Sequence, residues 1–240
     1  MRALLRRGRP GGGRTGLLIA CGLLFLALPA ARLTPPAIAG APDVGVVVDK
    51  LQATCAKTQD LSAQFQQTVS YRSLNIVREG GGSFMVKRPG KVRWEYNRPE
   101  PRLFVTDGKT LWDYSPADKQ VRVLEAGEAF SSRVPLSFLA GDCDLRREFT
   151  VSAVEHAATR GSTDLMILDL KPLHPEAGIT RILLEVNLQT YIVGKTTAFD
   201  AAGNTTVIAL TNVTLNTGLS DRQFQFTPPA DVSVVNPAKR

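Results

Sequence analysis

Histidine is almost absent from this chain: His156 and His174 are the only two in 240 residues, they lie in separate loop-like stretches, and neither forms an H-E-x-x-H pair. Cysteine is nearly as scarce, at three, with no C-x-x-C spacing. A transition-metal centre needs three or four convergent ligands, so neither a structural metal nor metal catalysis is expected. There is no G-x-S-x-G elbow, and no histidine stands near Cys143, which argues against an acyl-transferring nucleophile. Asp107-Gly108-Lys109-Thr110 ends like a phosphate-binding loop, but Leu103 occupies the place of that loop's first glycine, and Asp-Gly reads as a hairpin turn. The expectation is therefore a protein without cofactor, metal or catalytic residue.

Acidic residues are missing from the start of the chain, the first being Asp43. Arg2, Arg6, Arg7, Arg9 and Arg14 lead into an apolar run over 16–31, shorter than the roughly 20 residues that span a bilayer. Ala37-Ile38-Ala39 then supplies a small-residue cleavage signal. This anatomy predicts a secretory signal peptide over 1–39 and a mature domain over 40–240 bound for the periplasm. Leu18-Ile19-Ala20-Cys21 spells a lipoprotein box, but the apolar run continues past Cys21; Arg6-Arg7 is followed by a poor twin-arginine match, Gly8-Arg9-Pro10. Export by the general secretory route is the reading taken.

The formal charge of +7 is largely a property of that leader, since six of the 29 basic residues and none of the 22 acidic ones precede Gly40. What remains is 23 against 22, so nucleic acid is not an expected partner. Cys55 and Cys143 are left in a compartment that permits disulfides. They either bridge, closing a long loop with a stabilisation of about 2–4 kcal/mol, or stay two separate buried thiols.

What the mature chain has in quantity is alternation. Asp43 is an N-cap candidate before Val44, Val47, Val48, Leu51 and Cys55, whose spacing predicts one amphipathic helix ending near Thr58. From Leu61 the period becomes two, with Leu61, Ala63, Phe65, Gln67 and Val69 on one face. Further strands are predicted at 81–87, 91–97, 102–107, 110–114, 120–124, 149–154, 165–171, 181–186, 191–200, 204–215 and 223–227, separated by turn signals such as Pro89-Gly90 and Asp107-Gly108. Residues 125–141 break this rhythm and read as one or two short helices split by Pro135; the C-terminal stretch after Pro229 reads as a terminal strand or a loose tail. Many strands with short turns and few helices mean a coiled antiparallel sheet, a barrel or a sandwich, which helices can lid.

Within 80–96, alternation places Phe84, Val86 and Arg88 on one face and Val92, Trp94 and Tyr96 on one face of the next strand, opposite Lys91, Arg93 and Glu95. An inward Arg88 must find carbonyls or a carboxylate on whatever covers the sheet, or else snorkel to water past Pro89. The aromatics on this face, with Phe65, are either the walls of an apolar cavity or simply a filled core.

The run Val86-Lys87-Arg88-Pro89, then Arg93-Trp94, Pro99, Thr106-Asp107-Gly108-Lys109-Thr110-Leu111-Trp112-Asp113-Tyr114 and Phe224-Gln225-Phe226-Thr227-Pro228-Pro229, in that order, resembles the periplasmic lipoprotein carrier family, LolA. The resemblance implies an unclosed antiparallel β-barrel whose hydrophobic cavity is covered by a few α-helices. It implies a chaperone that shields lipoprotein acyl chains between the inner and outer membranes. It matches Arg88 to a gate that hydrogen-bonds the lid, and it makes Phe65, Phe84, Val86, Val92, Trp94 and Tyr96 the candidate acyl-chain cavity. Val92 stands where some family members carry a larger apolar residue associated with one-way transfer. The implied partners are acylated lipoproteins, an inner-membrane ABC-type releasing transporter and an outer-membrane acceptor, met by a monomer. Competing readings are a lipid-sensing domain of a signalling pathway, an acceptor anchored through Cys21, and an esterase.

Overall fold

The computed structural model describes residues 42–126, 143–154, 164–174 and 178–236; the expected signal peptide, the helices expected within 125–141 (from 127 on) and His156 lie outside them. Asp43 caps helix α1 (Val44–Lys57), its carboxylate accepting from the Val46 N–H at 3.2 Å. One face of α1 buries Val47, Val48 and Leu51, as the i, i+3, i+4 spacing requires.

The chain then enters a sheet of twelve strands among the described residues: β1 (Asp60–Tyr71), β2 (Ile76–Lys87), β3 (Lys91–Arg98), β4 (Arg102–Thr106), β5 (Thr110–Ser115), β6 (Gln120–Glu125), β7 (Phe149–Ala153), β8 (Leu165–Pro172), β9 (Ile179–Asn187), β10 (Val193–Asp200), β11 (Thr205–Leu215) and β12 (Ser233–Val235). Their order is β12-β6-β5-β4-β3-β2-β1-β11-β10-β9-β8-β7, so β12 and β7 are open edges and the sheet is not closed. A helical turn, α2 (Leu145–Glu148), precedes β7. Neighbouring strands pair antiparallel except β12, which runs parallel to β6. At that edge the chain arrives after crossing the sheet rather than by a hairpin, and forms the terminal strand left open for the stretch after Pro229.

The sheet curls. Residues of β3 and β4 and residues of β9, β10 and β11 line one cavity, although β4 and β9 are six places apart in strand order; laid flat at about 4.8 Å per strand they would stand about 29 Å apart. Two apolar clusters fill the concave side. Val47, Val48 and Leu51 of α1 pack with Leu145 on Met166, Leu168, Leu170, Ile182, Leu184 and Val186. The second cluster holds Leu61, Ala63, Phe65, Phe84, Val86, Val92, Trp94, Phe104, Leu111 and Ile208.

Two further departures have physical causes. Residues 223–227 are not a strand: a 3-10 turn, Asp221–Phe224, crosses the convex side. Lys87 and Lys91 grip Asp221 at 2.6 and 2.8 Å and hold its carboxyl down to about 2. Phe224 is fully buried and Phe226 stacks near Trp112 and Tyr114, so the aromatic alternation serves side-chain packing without a backbone ladder. Strand β2, expected from 81, begins at Ile76, where no polar-apolar alternation announced it.

Candidate functional site

The glycines of β2 decide what the concave face can hold. Gly82 lies between Phe65 on β1 and Tyr96 on β3, and the ladder with β3 slips between Gly81 and Gly82. A Cβ on Gly82 would stand 1.8 Å from the Glu95 carbonyl oxygen, so only glycine permits this approach. With no side chain between them, the rings of Phe65 and Tyr96 meet edge to face at 4.9 Å across two strands. Trp94 joins them, 4.4 Å from the Phe65 ring and 4.6 Å from Phe84. Its indole N–H is buried with no hydrogen-bond partner among the described residues.

Above this aromatic layer opens a cavity of about 510 Å³, within the range of about 300–1,000 Å³ common for ligand pockets. Trp94, Phe104, Ala198 and Ile208 make its apolar floor; Gln67, Arg78, Glu79, Glu100 and Arg102 bring polar groups to it. Tyr96 donates from its hydroxyl to the Gln67 amide oxygen at 2.7 Å, orienting the ring towards the floor. Arg102 is held by a two-pronged bond to Asp113, 2.9 Å on each arm, and lies 4.9 Å over the Phe104 ring. Asp113 is buried and also accepts from Arg122. Burial alone would raise its carboxyl, but Arg102 and then Arg122 outweigh that and keep it below the ordinary carboxylate value.

A second, smaller space of about 50 Å³ lies between α1 and the sheet, lined in part by Leu51, Cys55, Val86, Arg88 and Val193. Here Cys55, near the end of α1, is joined to Cys143, just before α2, as a disulfide. The Arg88 guanidinium reaches this bridge, its Nη2 lying 2.7 Å from Cys143 Sγ and 3.1 Å from Cys55 Sγ. Carbonyls or a carboxylate were expected at this guanidinium; among the described residues it meets the two sulfurs of the disulfide. The Arg88 backbone N–H donates to Gln59 at 2.9 Å, which holds the residue at the end of the β1–β2 ladder. Arg146 pairs with Asp49 and donates to the Gly45 carbonyl, so the chain just after Cys143 is also strapped to α1.

Of the six candidate cavity residues, Trp94 and Tyr96 line the larger space and Val86 the smaller. Phe65, Phe84 and Val92 line neither and pack in the cluster that supports the floor. Phe104, Ile208, Ala198 and the Arg102–Asp113 pair were not anticipated, because they meet Trp94 only through strand pairing and sheet curl. Alternation in β4 was the available signal for Phe104. Asp107 and Gly108, part of the motif run, make a turn: the Asp107 carboxylate accepts from the N–H groups of Lys109 and Thr110 at 2.9 Å, and Gly108 has φ +100°. Among the described residues no helix is long and apolar enough to cross a membrane.

The comparisons agree with this geometry. The family description "Outer membrane lipoprotein carrier protein LolA" matches residues 56–227. The chain is 32% identical over 188 residues to an outer-membrane lipoprotein carrier protein of Dechloromonas aromatica, covering 78% of this chain and 86% of that protein. It is 33% identical over 214 residues to a protein of the same description from Chromobacterium violaceum, covering 89% and 96%. A crystal structure of an uncharacterized conserved protein from Thermus thermophilus shares the fold at 12% identity and TM-score 0.51, over 80% of this chain and 98% of that one. An open sheet curled round an aromatic-floored cavity, carrying the spaced motifs in order, thus agrees with a match over most of its length: the chain belongs to the LolA family of outer membrane lipoprotein carrier proteins.

Proposed function

We propose that this protein is a non-catalytic periplasmic carrier that takes up the acyl chains of a lipoprotein at the inner membrane and delivers them to the outer membrane. The observation that carries the reading is the cavity of about 510 Å³ with its floor of Trp94, Phe104 and Ile208, in a chain of this family. Each acyl CH₂ removed from water is worth about 0.8 kcal/mol, so a multiply acylated protein neither leaves a bilayer nor stays dispersed unless an apolar surface receives it. The polar groups at the cavity, Arg78, Glu79, Glu100 and Arg102, suit the junction where acyl chains end and polypeptide begins. In this reading residues 1–39 are removed on export and the mature protein acts as a monomer. An ABC-type complex drives release at the inner membrane, and an acceptor at the outer membrane takes over the cargo.

Arg88 is the gate of this proposal. Its guanidinium links the end of β2 to the bridge between α1 and Cys143, so entry of acyl chains between helix and sheet must loosen that link and their departure restores it. Binding is thereby weakened enough for handover. The test is release of a newly made triacylated lipoprotein from spheroplasts as a one-to-one complex. The natural protein is expected to release cargo and pass it on, and Arg88→Leu to release it and retain it. If neither folded protein releases cargo, the carrier reading fails.

A further inference from the structure

The hairpin joining β1 and β2 extends beyond β3 on one flank, while on the other β11 accompanies β1 as far as Ser70 and Asn204 accepts from the Arg72 N–H at 3.0 Å. Pairing of β2 with β3 stops at Gly81 and Arg98, which leaves Ile76–Gly80 overhanging β3 by about 16 Å of strand at the usual rise per residue. At its tip and along that overhang stand three of the seven exposed large apolar side chains among the described residues: Leu74 at 64%, Ile76 at 41% and Val77 at 61%.

Their arrangement says what kind of partner fits. Ile76 is opposite Tyr71, on the concave face; Val77 is opposite Ser70, on the convex face; Leu74 is in the 3-10 turn at the tip. A folded protein partner covers one face of a hairpin, and only one of the two strand positions would then be buried. A medium that surrounds the tip accepts all three side chains, and the interfacial zone of a bilayer is such a medium. Arg72 and Arg78 flank the apolar group, both exposed, with the Arg78 guanidinium 5.9 Å from the centre of the Tyr71 ring. Cations beside an aromatic and a few aliphatic side chains suit anionic headgroups over an apolar layer. Glu79, the nearest opposing charge on β2, is opposite Thr68, behind the tip.

We propose that the β1–β2 tip, Leu74, Ile76 and Val77 with Arg72 and Arg78, docks on an anionic lipid surface. Tyr71 and Arg78 also line the larger cavity, so a docked tip sets the cavity beside the bilayer. The docking does not depend on what the cavity carries and is measured without cargo, so its failure leaves the carrier reading to its own test.

The protein is recovered from the cell envelope after natural processing, its mass read, and floated with phosphatidylethanolamine vesicles containing phosphatidylglycerol, or with phosphatidylcholine vesicles. Flotation is expected with the anionic vesicles, and the Leu74→Ser, Val77→Ser double variant is expected to bind about tenfold more weakly. Arg72→Gln with Arg78→Gln should lower binding severalfold and abolish its dependence on salt. Unchanged melting temperatures show that the variants are folded. No flotation of the natural protein, or equal flotation of all three, overturns the proposal. So does a defect of the variants in lipid-free handover to a purified acceptor with vesicle binding intact, which would assign the tip to a protein partner.

Discussion

At the scale of single residues, Gly82 is the position with least tolerance. Its Cα stands where any Cβ would enter the Glu95 backbone at 1.8 Å, and relief requires β2 and β3 to separate under the Phe65, Trp94 and Tyr96 rings. Gly82→Ala is expected to cost about 3 kcal/mol, read as a lower midpoint of urea unfolding with an unchanged slope. A midpoint equal to that of the natural protein would show that the floor does not depend on this close approach. Arg102 and Asp113 illustrate the opposite situation, charged groups that are costly to bury alone yet are mutually satisfied here by paired bonds. They hold a cation beside the cavity without leaving a bare charge in the core.

At the scale of elements, the Cys55–Cys143 bond ties α1 to the chain before β7 across 88 residues of sequence. Loop closure in the unfolded chain gives such a bond a stabilisation of about 2–4 kcal/mol. The Cys55→Ser, Cys143→Ser pair should lose that amount in urea unfolding, and the natural protein should match the variant once reduced. Equal stability of variant and oxidised protein would contradict the tie. The elements themselves were largely legible: α1 announced itself through Asp43 and the spacing of Val44, Val47, Val48 and Leu51, and β1 through its alternation from Leu61. The overhang at Ile76–Gly80 was not, because Ile76-Val77 and Arg78-Glu79 are like-natured neighbours that hide a period of two. Phe224 and Phe226 misled in the other direction: alternation reports which side chains share a side, and here they pack on the convex face with no strand ladder. The cavity was half legible for the same reason. Trp94 and Tyr96 follow from one strand's alternation, whereas Phe104, Ala198 and Ile208 reach them only when distant strands curl together.

At the scale of the whole molecule, the proposed loading and unloading of a carrier calls for an open sheet rather than a closed barrel. A closed barrel of this width would fill with side chains or seal its cargo; an unclosed one, with α1 laid over β8–β10 and aromatics under the remaining concave face, keeps a space bounded by movable contacts. The central claim is that this space holds acyl chains. Its most direct measurement places a photoreactive benzoylphenylalanine at Tyr96 and irradiates the protein with a triacylated lipoprotein or with the same polypeptide lacking its acylated cysteine. The account predicts a one-to-one adduct with the acylated form alone, displaced by excess unlabelled lipoprotein. Equal adducts with both forms, or none with either, would contradict it.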